Sequence, residues 1–284
     1  MFLYYIYGKR VAINIELPLL KKIVDCNNFD LKVKVDYREI AGETIIIKET
    51  DKGFTVLLGS LAHYFIDSSK NEIHCLTPNF ESFFSTFFNI PFSVYCLCKN
   101  EILYHACSLL HKGEVLCLTG NKGVGKSTLT AILNSNENFC VFSDDTIHIC
   151  EDLVVNRAHN LIKQTTETVN ALGIATLNVQ NIAGKHYSSF EIIDNIVKIG
   201  KIFHIVRSDE LEFKIIPITS TIKRNSVFRT NIVGVAHMPY SLISKTLKIK
   251  PNAKIQFFEL IIPNDLNYLI RNKDNLIEII SSVN

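Results

Sequence analysis

The stretch Val115-Leu116-Cys117-Leu118-Thr119-Gly120-Asn121-Lys122-Gly123-Val124-Gly125-Lys126-Ser127-Thr128 decides how the rest of the chain is read. Residues 115–119 form a short apolar run of the kind that makes a buried strand. Residues 120–127 then match G-x-x-x-x-G-K-[ST] at every fixed position. Gly120, Gly123 and Gly125 permit backbone angles and close approaches that side chains would block. The N–H groups of such a loop converge on phosphate oxygens, helped by the helix N-terminus that follows. Lys126 supplies a cation to the β- and γ-phosphates, and Ser127 offers a hydroxyl to Mg²⁺. A helical run, Thr128–Leu133, completes the strand–loop–helix context. That context separates a phosphate-binding loop from a glycine-rich turn carrying a surface lysine. Gly120, Asn121, Lys122, Gly123, Val124, Gly125, Lys126, Ser127 and Thr128 are therefore the expected nucleotide site, with ATP and Mg²⁺ as its occupants.

Working outward, Asp144-Asp145 lies 18 residues beyond Lys126, after the apolar run Cys140–Ser143. Ligands of open α/β sheets collect at the C-terminal ends of strands. Two adjacent carboxylates there can divide labour between Mg²⁺ and the proton of an attacking hydroxyl. The plainer alternative is a polar turn. Upstream, His105 sits in Tyr104-His105-Ala106-Cys107-Ser108, one hairpin before the loop. Antiparallel pairing across the turn His111-Lys112-Gly113 would bring His105 to the phosphate edge, where it can orient an aspartate or contact phosphate. A partly buried structural histidine is the competing reading. The charge that develops on a transferred phosphoryl invites further cations. Arg157, Lys163, Arg224 and Arg229 are candidates, each otherwise an ordinary surface charge.

The whole chain has 284 residues, 47% of them hydrophobic and 20% charged, which excludes extended disorder as the main state. Lys and Arg number 30 against 28 Asp and Glu, so bulk charge points neither to nucleic acid nor to an anionic membrane. Mean hydropathy is +0.17. The longest uncharged stretch, Ser82–Cys98, is broken by Asn89 and Pro91 and is shorter than a spanning helix needs. The start MFLYYIYGKR lacks the features of a signal peptide. A cytoplasmic protein is expected. Six of the eight cysteines (Cys96, Cys98, Cys107, Cys117, Cys140 and Cys150) lie in apolar runs as small hydrophobes. Cys96-Leu97-Cys98 is expected on a strand with both sulfurs on one face, and no zinc-type cysteine spacing accompanies it.

Short β-runs fill the first part: Phe2–Tyr7, Val11–Ile15, Leu31–Val35, Thr44–Ile47 and Phe54–Leu58. A helix is expected over Glu81–Phe88, followed by strands at Phe92–Leu97, Ile102–Leu110 and Val115–Thr119. Ile147–Cys150 and Leu153–Val155 read as a hairpin across Glu151-Asp152. A boundary near residue 90 divides a β-rich N-terminal domain, 1–90, for substrate recognition or oligomerisation, from a catalytic domain, 91–284.

These residues resemble the HPr kinase/phosphorylase superfamily and its phosphoenolpyruvate-carboxykinase-like relatives. The carriers are HACSLLHKGEVLCLTGNKGVGKSTLTAILN and FCVFSDD, about 40 residues from His105 to Asp145. More weakly, Tyr5-Ile6-Tyr7-Gly8 and Glu16-Leu17-Pro18-Leu19 look like the opening of HPr-kinase-like proteins of peptide natural-product clusters. Those include kinases of lasso-peptide precursors. Lys201–Val206 and Ile215–Ser220 match strand positions of these relatives loosely. The resemblance implies an α/β P-loop kinase core with a β-rich N-terminal part. It implies transfer of the γ-phosphate to a serine hydroxyl of a peptide or small protein, in ribosomal peptide tailoring, and a homo-oligomer. Lys126 would hold phosphates, Ser127 and Asp145 would face Mg²⁺, Asp144 would be the general base and His105 would stand nearby, with the two aspartates interchangeable. The C-terminal signature tied to phosphorolysis is not identifiable, so phosphorylase activity is not carried over. A small-molecule P-loop kinase and a non-catalytic nucleotide-binding regulator are the alternatives.

Overall fold

A computed structural model of the chain describes residues 1–18, 20–24, 28–150, 153–157, 161–164, 180–182, 185–189, 197–249, 251 and 254–283. The first seven strands form one sheet: β1 (Phe2–Ile6), β2 (Lys9–Ile13), β3 (Leu31–Tyr37), β4 (Ile45–Thr50), β5 (Gly53–Leu58), β6 (His63–Asp67) and β7 (Glu72–Thr77). Their order is β1-β2-β3-β7-β6-β5-β4. β3 runs parallel to β2 and β7, and the remaining pairs are antiparallel. Alternate residues such as Leu31, Val33, Val35 and Phe54, Val56, Leu58 are buried, so one face is apolar.

That face is covered by two helices. α1 (Phe80–Phe87) starts at Asn79, whose side chain accepts from the Ser82 N–H at 2.9 Å. α2 (Ile90–Cys98) has Pro91 in its first turn. The strand expected at Phe92–Leu97 is thus a helix. Pro91 fits its start, where an N–H would go unpaired anyway, and an unbroken apolar run does not discriminate a buried strand from a buried helix. Cys96 and Cys98, two apart on a helix, do not share a face.

The second half alternates strands and helices: β8 (Ile102–Tyr104), β9 (Cys107–His111), β10 (Glu114–Thr119), α3 (Lys126–Asn134), β11 (Cys140–Ser143), β12 (Ile147–Ile149) and β13 (Val154–Arg157). β14 (Leu161–Gln164), β15 (Gln180–Ile182) and β16 (Lys185–Ser189) form a separate antiparallel sheet ordered β14-β16-β15. The chain ends with β17 (Val197–Ser208), β18 (Lys214–Pro217), α4 (Thr221–Thr230), α5 (Tyr240–Lys248), β19 (Gln256–Pro263), α6 (Leu266–Arg271) and α7 (Lys273–Ser282). The single strand expected over Ile102–Leu110 is two strands, divided at His105-Ala106. β8 pairs with β12 while β9 pairs with β10 and β11. The turn expected at Glu151-Asp152 lies outside the described residues, although β12 and β13 pair antiparallel around it.

The long strand β17 organises this half. Its first residues pair with β13, and the rest lies between parallel neighbours β10 and β19. β10 alternates between two cores. Val115 and Cys117 join a cluster reaching from Tyr4 in β1 to Phe257 in β19. Leu116 and Leu118 join a second cluster with Leu129, Ile132 and Leu133 of α3 and Leu276 and Ile280 of α7. A strand buried on both faces reads as continuously apolar, which is why this one was legible. The first cluster runs unbroken across residue 90, through Phe87, Phe88 and Phe92. Among the described residues no helix is long and apolar enough to cross a membrane.

Phe87 sits at the hub of that aromatic seam, with ring centroids 5.0 Å from Phe83, 5.3 Å from Phe88 and 5.6 Å from Phe92. Phe87→Ala is expected to cost about 3–5 kcal/mol in chemical denaturation. A loss under about 1 kcal/mol would show that the seam does not join the two halves.

Candidate active site

β10 delivers the chain to the loop 120–125, and α3 begins at Lys126. Gly125, the residue before the helix, has φ +99°. The backbone angle calls for glycine, and a Cβ there, 2.4 Å from Arg207 Nη2, would also have to push the guanidinium aside. Lys126 is 8% exposed, and its Nζ donates to the carbonyls of Gly120 at 2.9 Å and Asn121 at 3.2 Å. Burial pulls its pKa below the ordinary lysine value, while the nearby carboxylates of Asp145 and Asp144 act the other way. The ammonium is therefore held over the loop with two carbonyls as exchangeable partners.

Asp144 follows β11 and is buried. Its Oδ1 accepts from Ser127 Oγ at 3.1 Å and from Cys107 Sγ at 2.9 Å. Burial and the neighbouring Asp144 charge raise the Cys107 thiol well above its usual pKa, so it stays a protonated donor. Asp145 takes φ +68°, a left-handed angle that aspartate tolerates better than most residues. The Thr146 N–H donates to the Asp144 carbonyl at 2.8 Å across this turn. The two carboxylates consequently diverge. Asp145 Oδ1 lies 3.4 Å from His105 Nδ1, and both side chains are about one-third exposed, at 38% and 33%. The sequence leaves the two aspartates interchangeable, with Asp145 named for the metal beside Ser127; in the structure the residue on Ser127 is Asp144, and the turn at Asp145 carries the second carboxylate to His105.

His105 reaches this place because the antiparallel register pairs Leu118 with Cys107, so His105 falls just beyond the end of β10. Its N–H donates to the Asn231 carbonyl at 2.7 Å. The turn is held from beneath. Ser143 Oγ donates to the Thr146 carbonyl at 2.7 Å, and Ser108 Oγ donates to the Ser143 carbonyl at 3.1 Å. Tyr7, fully buried, donates to the Phe88 carbonyl at 2.7 Å and shares a 2.5 Å hydrogen bond with Thr146 Oγ1. The β1–β2 hairpin thereby touches the aspartate turn. No feature of the sequence links residue 7 to residue 146.

The cation beside the loop is Arg207, which sequence reasoning did not single out. It lies near the C-terminal end of β17, which runs parallel to β10 and so ends at the same edge. Its Nε donates to the Val124 carbonyl at 2.8 Å and its Nη1 to that of Pro263 at 2.5 Å. Arg224 is occupied elsewhere, donating to the Ile255 carbonyl at 2.6 Å and lying over Phe257. Arg157 lies over the ring of Phe142. Arg229 has a buried Nε without a hydrogen-bond partner. The Lys163 side chain lies outside the described residues.

A second group of ligand-type atoms, from Cys96, Glu101 and His148, falls within 4.8 Å of one another. Glu101 pairs there with Lys9 at 2.8 Å and His148 at 2.9 Å. A lysine in that position makes the group an ion-pair network in which Glu101, just before β8, joins Lys9 of β2 to His148 of β12.

Comparisons with known proteins add a distant likeness to solved structures. No protein-family model matches the sequence, and no curated protein matches it. The chain is similar to a solved structure titled "Structure of the Hpr(Ser) kinase/phosphatase from Coxiella burnetii". The match has 14% identity and a TM-score of 0.27, and covers 62% of this chain and 96% of the other.

Gly125→Ala is expected to displace the Arg207 guanidinium and strain the loop, at roughly 1–3 kcal/mol. In equilibrium nucleotide titration its affinity should fall about tenfold or more. Wild-type affinity in a folded Gly125→Ala protein would contradict the packing of Arg207 on the loop.

Proposed function

We propose that this protein is an ATP- and Mg²⁺-dependent kinase that phosphorylates a serine hydroxyl of a peptide or small protein. The observation that carries the reading is the division of the aspartates at the lip of the glycine loop: Asp144 on Ser127, Asp145 on His105. Phosphoryl transfer needs positioning and charge stabilisation more than covalent help from the protein. The loop N–H groups and Lys126 would take the phosphates, with phosphate oxygens replacing the carbonyls of Gly120 and Asn121 as partners of Nζ. Ser127 and Asp144 offer oxygen donors suited to a hard cation. Bound there, Mg²⁺ would neutralise phosphate charge. Arg207 braces the loop and adds positive charge at the same edge.

Asp145 is the proposed general base, exposed toward the acceptor side and oriented by His105. The serine oxygen bonds to the γ-phosphorus as the bond from that phosphorus to the β–γ bridging oxygen breaks. The hydroxyl proton passes to Asp145, and ADP leaves. The resemblance of Tyr5-Ile6-Tyr7-Gly8 and Glu16-Leu17-Pro18-Leu19 to HPr-kinase-like proteins that include lasso-peptide precursor kinases makes a ribosomally made precursor peptide the first acceptor to try. The same resemblance supports a role in the tailoring of such peptides, with the cytoplasm as the proposed compartment.

Intact-mass spectrometry of serine peptides incubated with protein, Mg²⁺ and ATP tests this reading. Wild type should add phosphate to serine, and Lys126→Ala should add none. Asp145→Asn should bind ATP within about twofold of wild type yet transfer about 10²–10⁴ more slowly. Undiminished transfer by folded Asp145→Asn would remove the assigned base. Nucleotide binding with no peptide, small-protein or small-molecule acceptor would turn the reading toward a nucleotide-gated regulator.

A further inference from the structure

A cleft of about 500 Å³ opens beside the catalytic edge, and His105 forms part of its wall. One side comes from the N-terminal sheet, through Ile45 of β4 and Leu61 after β5. The opposite side is the segment after α4, including Ile232 and Val235. Ile90, at the start of α2, contributes between them. The floor is anchored: the Val233 N–H donates to the Leu103 carbonyl at 3.0 Å, and Ser93 Oγ donates to the Val233 carbonyl at 2.8 Å. The lining is mainly apolar, yet Ile45 and Leu61 stand 45% and 49% exposed at it. The volume suits several residues of a chain rather than an ion or a phosphate group.

Two further facts choose the occupant. The cleft is continuous with the acceptor side of the site, because His105 belongs both to its wall and to the Asp145 pair. The cleft also reaches Ile45, the first residue of β4, which is the last strand of the seven-stranded sheet and among the described residues is paired only with β5. An edge strand beside an apolar cleft is built to receive an extended chain: the strand offers backbone groups and the cleft takes a side chain.

We propose that this cleft is the acceptor-peptide subsite, holding an extended segment whose apolar side chain lies beside the serine presented at His105. The assignment rests on the kinase reading above and specifies its substrate: a serine flanked by a bulky aliphatic or aromatic residue. It gives the N-terminal sheet a direct part in recognition. An acidic flanking residue would meet an apolar wall and the Asp145 carboxylate, so it is rejected.

The test uses a serine-centred peptide library with randomised flanks, ATP and Mg²⁺, and the full chain as wild type, Leu61→Asp and Ile45→Asp. Both substitutions fall on exposed positions outside the phosphate site, and nucleotide titration of each reports an intact loop. Wild type is expected to enrich Leu, Ile, Val, Phe or Met at one flanking position of the phosphoserine. The two variants should lose that enrichment and raise KM for the best peptide roughly 10- to 100-fold, with ATP affinity unchanged. Variants that keep both the enrichment and KM would overturn the subsite while leaving the kinase intact. Absence of any phosphorylation that Lys126→Ala abolishes would overturn the kinase and the subsite together.

Discussion

The carboxylate of Asp144 is buried at the end of β11, and Ser127 and Cys107 both donate to one of its oxygens. A buried carboxylate is costly unless its charge is met by donors or cations. Much of the architecture follows from meeting that need. Cys107 arrives on β9, Ser127 on the first turn of α3, and Lys126 alongside it, so three elements must converge for the charge to be tolerated. Their convergence in turn sets the glycine loop over a cluster of hydrogen-bond donors and positive charge. In the proposed kinase, the stability of the site and its affinity for phosphate and metal would thus have one physical origin.

The second constraint is the turn that separates the aspartates. Asp145 could have shared a face with Asp144 and merely doubled the negative charge. A left-handed backbone angle instead turns it to His105, and that angle is kept by hydrogen bonds around Thr146. One of those bonds comes from Tyr7, on the first hairpin of the other sheet. The first hairpin therefore contacts the aspartate turn through one phenol, besides sharing a hydrophobic core with the second half. Losing Tyr7's hydroxyl would leave buried polar groups around the turn short of a partner.

What could be read from residues alone follows from how local each signal is. The phosphate loop is a contiguous motif with a strand before and a helix after, so its position and its glycines were legible. The strand at Phe54–Leu58 and the helix over Glu81–Phe88 were legible from contiguous residues as well. The helix at Phe92–Leu97 was not, since an all-apolar run carries no period and only Pro91 hinted at a helix start. The break at His105 depends on which sheet each half-strand joins, and nothing within Ile102–Leu110 announces it. Arg207 became visible only once β17 was known to run parallel to β10. Which aspartate faces Ser127 depends on a single backbone angle, and the sequence had left that choice open.

Asp144 and Asp145 have different partners, Ser127 and His105, and in the proposed mechanism different work. Titration of Mn²⁺ in the presence of ADP, followed by electron paramagnetic resonance, tests it directly on Asp144→Asn and Asp145→Asn. The account predicts that Asp144→Asn weakens the bound metal about tenfold or more, the loss of a charged ligand, while Asp145→Asn leaves it within about twofold. Equal weakening by the two folded variants, or weakening by Asp145→Asn alone, would contradict it.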